Sequence, residues 1–299
     1  MALSNVFSAM KREGYVIRPL DLYLLSLNKE DNDRAINVNA PSQVGTCMRA
    51  RFYARTGEEQ DANSVDARTR RIFDNGTYFH LRIQGYLKEQ GMLLMDEVPV
   101  HNYEYNIQGH TDGILALTLV EDGVLELKSI NNAGFVQLKG PKEEHKKQGL
   151  VYIFCLEERR QFLQRKYKTQ ADFDRSLPIR KAQYKKLYQH LKGGRKFTRA
   201  QKIAYQVGLH AKMDKILYSL KKPITKAIFL YENKDNQEMK EYCVSSQEAE
   251  SKKLMKEILG EYEYINECVE NGTVPPREGT NKSSSPCRWC NYKSACWIV

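Results

Sequence analysis

The chain reads first as a series of changes in hydrophobic period. From Ala67 to Gln90 apolar residues return at helical spacing, with Ile72, Phe73, Phe79, Ile83 and Leu87 on one face and Gly91 beyond the last turn, which predicts an amphipathic helix. The period then shortens. Met92 to Val100, Tyr103 to Gly109, His110 to Leu119 and Val124 to Lys128 read as strands, with Glu121-Asp122-Gly123 as the turn of a hairpin between the last two. Glu144 to Leu156 predicts a helix, and further helices are expected at Ala182 to Leu191 and Ala200 to Leu220. Ala227 to Tyr231 and Met239 to Val244 add two strands, and Gln247 to Val269 a last helix before Pro275-Pro276. Near the start, Ser42 would cap a helix running to about Arg55. Helices and strands interleaved in this way predict an α/β chain with a central mixed sheet.

Polar residues inside the hairpin carry the first chemical signal. In Leu125-Glu126-Leu127-Lys128 the alternation puts Glu126 and Lys128 on one face and the leucines on the other. Asp112 lies on the preceding strand, and the hairpin brings its carboxylate toward that of Glu126. Two carboxylates so placed suit a hard divalent cation, magnesium or manganese, which lowers the pKa of a bound water, while Lys128 can meet developing negative charge. An ordinary cross-strand ion pair gives the same pattern. Gly76-x3-His80 adds an imidazole on the preceding helix, and Gln148-x3-Tyr152 two polar groups on one face of the following helix.

Composition alters this picture in two places. The chain of 299 residues has 47 Lys and Arg against 37 Asp and Glu, net charge +10, which raises the prior for a polyanionic partner. That charge is local: residues 157–222 hold 19 basic and 5 acidic side chains, so the remainder is net acidic. Tyr167, Tyr184, Tyr188, Tyr205 and Tyr218 lie among those basic residues, a mixture that suits phosphate neutralisation and stacking on unpaired bases, with Lys185, Lys186, Arg195 and Lys196 as phosphate contacts. A solvated helical insertion whose tyrosines pack on the body of the protein is the alternative. Arg49 and Arg51 are further candidate phosphate contacts.

Seven cysteines, in a chain long enough to need no disulfides, point to a reducing, cytoplasmic location. No apolar run is long enough for a membrane span, and none is expected to serve as a signal. Cys287-x2-Cys290-x5-Cys296 offers three thiolates near the carboxyl terminus, and Cys47 a distant fourth; zinc or an iron–sulfur cluster would suit them. Cys155, Cys243 and Cys268 fit neither spacing and read as buried apolar residues.

In their order, Gly76-x3-His80, Gly109-His110-Thr111-Asp112, Glu126-Leu127-Lys128 and Gln148-x3-Tyr152 resemble the RecB-like branch of the PD-(D/E)XK nuclease superfamily. Thr111 stands where that pattern nominally has proline. The resemblance implies a restriction-endonuclease-like sheet, with metal held by His80, Asp112, Glu126 and the Leu127 carbonyl. It makes Lys128 catalytic and gives Gln148 and Tyr152 a part in orienting substrate. The cysteine arrangement resembles iron–sulfur nucleases of the AddB type and the CRISPR-associated exonuclease family, which implies a [4Fe-4S] cluster on Cys47, Cys287, Cys290 and Cys296 stapling the ends of the domain.

The expectation is therefore a metal-dependent deoxyribonuclease, an exonuclease acting on single-stranded DNA or DNA ends in recombination, repair or end processing. Its nuclease domain would comprise residues 1–156 and 223–299, interrupted by the basic helical insertion 157–222. Without a Gly-x4-Gly-Lys-Ser/Thr phosphate loop, any motor would come from a helicase or recombinase partner. A catalytically silent DNA-binding module, or a zinc-stabilised adaptor, is the competing expectation.

Overall fold

The structure, a computed structural model, describes residues 15–26, 37–61, 65–192, 197–283 and 285–297. Helix α1 (Ile17–Ser26) packs on α3, and α2 (Met48–Thr56) ends at Gly57, whose φ of 77° suits a residue without Cβ. Helix α3 (Ala67–Glu89) starts at Asp66, whose carboxylate accepts the Thr69 N–H. Three strands follow, β1 (Leu93–Asn102), β2 (Ile107–Ala116) and β3 (Asp122–Ile130). The chain then leaves the sheet through α4 (Asn132–Gln137), α5 (Glu143–Lys166), α6 (Gln170–Arg175), α7 (Leu177–Leu187) and α8 (Arg199–Ser219). It returns as β4 (Ile224–Asn233) and β5 (Met239–Ser245), and closes with α9 (Ala249–Asn271) and α10 (Lys293–Trp297).

The sheet order is β1-β2-β3-β4-β5, antiparallel except for the parallel pair β3 and β4. A parallel neighbour cannot be reached by a tight turn, and the helical excursion between β3 and β4 provides the crossover. On one face Val98, Val100, Ile114, Val124 and Phe229 pack against Leu150 and Leu163 of α5 and Met213 and Leu217 of α8. On the other, Phe79 and Ile83 of α3 cover Leu93, Leu115, Leu125 and Leu127. A third cluster, Phe52, Tyr53, Ile265, Tyr292 and Cys296, joins α2 and α9 to the carboxyl-terminal segment. This is the expected α/β architecture, a mixed sheet flanked by helices. Among the described residues, no helix is long and apolar enough to cross a membrane.

Several local expectations fail for identifiable reasons. Residues 103–106 are a turn, so Tyr103–Gly109 and His110–Leu119 are not two strands but, trimmed, the single strand β2. Asp122 and Gly123 do not form the hairpin turn; they begin β3, and Asp122 is fully buried and paired with Lys222 at 2.8 Å. Ser42 sits in a 3-10 turn at Pro41–Gln43, and the helix starts only at Met48. On α3, Phe79 and Ile83 are buried but Ile72 and Phe73 are exposed, because the sheet covers only the carboxyl-terminal half of the helix. Cys155 and Cys268 are buried as expected, whereas Cys243 is exposed on the edge strand β5.

The segment 157–222 is not a module with a core of its own. Helix α5 runs unbroken through the expected boundary at residue 156, and Leu163, Phe173, Met213 and Leu217 share the core of the sheet. Asp214 of α8, fully buried, accepts from Arg159 of α5 at 2.9 Å and Tyr184 of α7 at 2.7 Å, and Arg180 lies 3.0 Å away. Removing one member of such a buried charge cluster costs about 3–5 kcal/mol, since the others are left uncompensated. The tyrosines follow the same logic. Tyr184 and Tyr188 are buried, Tyr167 and Tyr218 are half-buried, with Phe173 stacked on Tyr218 at 4.2 Å, and of the five tyrosines expected to stack on bases only Tyr205 is exposed.

His101 at the end of β1 stacks edge-on against Tyr184 and His210 inside this junction, and its Nδ1 and that of His210 have no hydrogen-bond partner. Burial, aided by the charge of Arg159, pushes His101 down to about 3. A histidine forced neutral contributes fully above its unfolded value of about 6.5, and its contribution falls as the pH drops from there toward 3, by up to about 1.4 kcal/mol per pH unit. Urea unfolding between pH 7 and pH 5 should therefore decline less steeply in His101→Phe than in the native chain. Equal slopes would show that the acid sensitivity arises elsewhere.

Candidate active site

The site is built where β2 and β3 part. The two strands pair from Ala116 and Asp122 up to Gly113 and Leu125. Beyond that point side chains replace the ladder: Thr111 Oγ1 donates to the Leu125 carbonyl at 2.8 Å, and the Leu127 N–H donates to Asp112 Oδ2 at 2.6 Å. In an extended strand a residue's N–H and C=O point to the same side, so the Leu127 carbonyl faces the same gap. The other oxygen of Asp112, Oδ1, lies 3.0 Å from Nδ1 of His80 on α3.

Glu126 and Lys128 project from the same face of β3, as the alternation required. Lys128 Nζ lies 2.5 Å from Glu126 Oε1 and donates to Gln148 Oε1 at 3.4 Å; Gln148 Nε2 in turn donates to the Tyr152 hydroxyl at 2.7 Å. Gln148 and Tyr152 are both buried, one turn apart on α5. The helix reaches this close because residue 149 is glycine. A Cβ there would stand 2.6 Å from Phe229 Cζ and 2.8 Å from Ala227 Cβ, so α5 rests directly on β4 beside the strand that carries Lys128.

The electrostatics follow from burial. Glu126 is 3% exposed; burial, then the charge of Asp112, pushes its carboxyl up to about 7 against the opposing pull of Lys128. Burial lowers the His80 imidazole, but the hydrogen bond and charge of Asp112, with Glu126 and Glu97, outweigh it, and its pKa lies above the usual value. Burial, with the charge of Glu126 next, raises Tyr152 well above the phenol range, so it stays a neutral hydroxyl. Buried carboxylates beside an imidazole and an outward-facing carbonyl form a ligand set for a hard or borderline divalent cation, with an ammonium at its edge.

Two neighbours escaped the sequence reading. Glu97 on β1 lies with His80 and Asp112 in a group whose candidate ligand atoms are all within 4.8 Å of one another. Its signal was the pair Asp96-Glu97, which interrupts the alternation of an otherwise apolar strand. His145, one turn before Gln148, holds the Tyr231 hydroxyl at 2.7 Å; burial, then the charges of Lys128 and Lys142, keep it down at about 3 and therefore neutral.

The structure brings the four spaced cysteines together. Cys47, Cys287, Cys290 and Cys296 line one pocket, with Arg49, Arg277 and Lys293 around it.

The candidate phosphate contacts divide. Arg51 is buried, 3.1 Å from Glu261 and stacked over Tyr262, so it is a structural residue and not a surface contact. Arg49 borders the cysteine pocket. Lys185 and Lys186 are exposed on α7, and Arg195 and Lys196 lie outside the described residues.

No family model and no curated protein matches the chain. Among solved structures it superposes on one described as "Crystal structure of SSO0001" with a TM-score of 0.45 and 13% identity, over 94% of this chain and 95% of that one. Likeness at that level carries no argument about chemistry, which rests on the residues themselves.

Gly149→Ala tests whether close helix contact holds the site together. It should destabilise the fold by about 1–3 kcal/mol in urea unfolding, the usual cost of overpacking. An unchanged midpoint would mean that α5 does not rest on Phe229 and Ala227 as described.

Proposed function

We propose that the chain is a divalent-metal-dependent deoxyribonuclease of the RecB-like PD-(D/E)XK type, with an iron–sulfur centre joining its two ends. What carries the reading is the convergence of His80, Asp112, Glu126, Lys128, Gln148 and Tyr152, drawn from α3, β2, β3 and α5, at one gap in the sheet. An ordinary surface ion pair does not recruit a buried glutamine and tyrosine behind its lysine.

Magnesium or manganese held by His80, Asp112, Glu126 and the Leu127 carbonyl would acidify a bound water and neutralise phosphodiester charge. The protein supplies the rest. Lys128 has three N–H donors, two of them turned to Glu126 and Gln148, and the third is free to orient the attacking water or meet charge on the pentacovalent phosphorus. Gln148, braced by Tyr152, limits where that ammonium can point. Burial and the charge of Asp112 push the Glu126 carboxyl up to about 7 in spite of Lys128, and a cation held there would favour its ionised form.

DNA is the proposed substrate because the relatives that the motif order resembles process DNA ends. The exposed Lys185 and Lys186 support a polyanion, as does a cavity of about 610 Å³ in which Arg159, Arg165, Lys166, Arg180 and Lys186 outnumber Glu104 and Glu158. A helicase or recombinase would supply any motor. For the cysteines, [4Fe-4S] is proposed over zinc because their arrangement resembles that of the iron–sulfur nucleases, and the role is structural: the four line one pocket where α2 is tied to the carboxyl-terminal segment.

With end-labelled single-stranded and duplex DNA and either metal, Glu126→Gln and Lys128→Ala should each lose about 10²-fold or more in cleavage while still binding DNA. Retained cleavage in both variants would remove these residues from the chemistry, and an inert native protein would leave the silent binding module. Anaerobically purified protein should be brown, absorbing broadly at about 400 nm, and Cys290→Ala should lose that colour. Colourless protein with stoichiometric zinc would replace the cluster with zinc and leave the nuclease reading intact.

A further inference from the structure

We propose that Glu97 is a metal ligand that completes, with His80 and Asp112, a cation site distinct from the Glu126 carboxylate and selective for manganese over magnesium. This rests on the nuclease reading, and it divides the cation ligands of that reading between two positions joined by Asp112.

Geometry separates the ligands. The candidate donor atoms of His80, Glu97 and Asp112 form one group within 4.8 Å, and Glu126 is not part of it. His80 Nδ1 and Asp112 Oδ1 are 3.0 Å apart, the spacing of adjacent ligands on an octahedral ion with bonds of about 2.1 Å. Asp112 turns its oxygens in different directions, Oδ1 to His80 and Oδ2 to the Leu127 amide. Glu126 is engaged by Lys128 at 2.5 Å.

Glu97 is also held in place by features that serve no evident packing purpose. Its side chain is exposed, yet its φ is +45°, a left-handed backbone that a residue with a Cβ adopts only under strain. The register pairs Asp96 with Gly113 and Val98 with Thr111, which sets Glu97 directly across from Asp112. Gln84, buried on α3 one turn after His80, donates from one amide to Glu97 Oε1 at 3.1 Å and to the Asp112 carbonyl at 2.8 Å. That single side chain fixes the glutamate relative to the aspartate.

Ligand chemistry sets the selectivity. One imidazole nitrogen with two carboxylates favours manganese, whereas Glu126 with the Leu127 carbonyl is an all-oxygen set that magnesium also fills. Two ions so placed would clamp both sides of a scissile phosphate.

The test is manganese electron paramagnetic resonance on the full chain in excess magnesium. The native protein should retain one bound Mn2+; Glu97→Gln should weaken it by about tenfold or more, and Glu126→Gln should leave it in place. Glu97→Gly should abolish the same signal while keeping or raising Tm, since it removes the carboxylate and the left-handed strain together, so loss of the ion cannot be loss of the fold. Mn2+ held equally by the native chain and Glu97→Gln overturns the assignment. If cleavage and its dependence on Glu126 persist in that case, the nuclease reading survives alone, and a native protein that binds no divalent ion removes both.

Discussion

Everything at the candidate site hangs on one substitution of partners: the Leu127 amide bonds to a side chain, Asp112, where a hairpin would ordinarily continue its ladder. A buried strand amide must be satisfied, and a carboxylate satisfies it more strongly than a carbonyl does. The exchange lets β2 and β3 separate without an orphaned donor. Into the gap come the second oxygen of Asp112, the Leu127 carbonyl and the imidazole of His80, groups that a continuous sheet would keep engaged or apart. β3 meanwhile stays in register with β4 to its end, so Glu126 and Lys128 are carried on a strand that cannot shift.

The two helices on either face make that gap chemically useful in different ways. Helix α3 is held by an apolar stripe, Phe79 and Ile83, and its polar edge brings His80 and Gln84 to the strands. Helix α5 is held by the absence of a side chain at Gly149, and the contact sets Gln148 behind Lys128. The cost of burying Glu126, with the nearby charge of Asp112, is only partly offset by Lys128, and its carboxyl is pushed up to about 7. In the proposed mechanism this unsettled charge is the store that cation binding draws on.

The basic segment shows how charge and packing can coexist on the same helices. Its apolar and aromatic residues face inward and complete the core over the sheet, and Asp214 collects two of its arginines in the interior. Lysines such as Lys185 and Lys186 remain outside, exposed to solvent, and in the proposed function they are the phosphate contacts. An element that reads by composition as an appended binding arm is therefore part of the structural body, and moving one would strain the other.

By itself the sequence determined the α/β class, the amphipathic α3, the shared face of Glu126 and Lys128, and the order of motifs that suggests a nuclease. These follow from periods of 3.6 and 2 and from residue types at short spacing, which act locally. It also marked the four cysteines that meet in one pocket, through their clustering and count. Only the tertiary structure decided that β2 and β3 part at Asp112, that Tyr184 and Tyr188 are core residues, that Arg51 is spent on Glu261, and that Glu97 stands across from Asp112. Each of those depends on which distant segment packs opposite, on strand register and on a backbone irregularity at one residue. No local period encodes such pairings, because they arise from contacts between elements far apart in the chain.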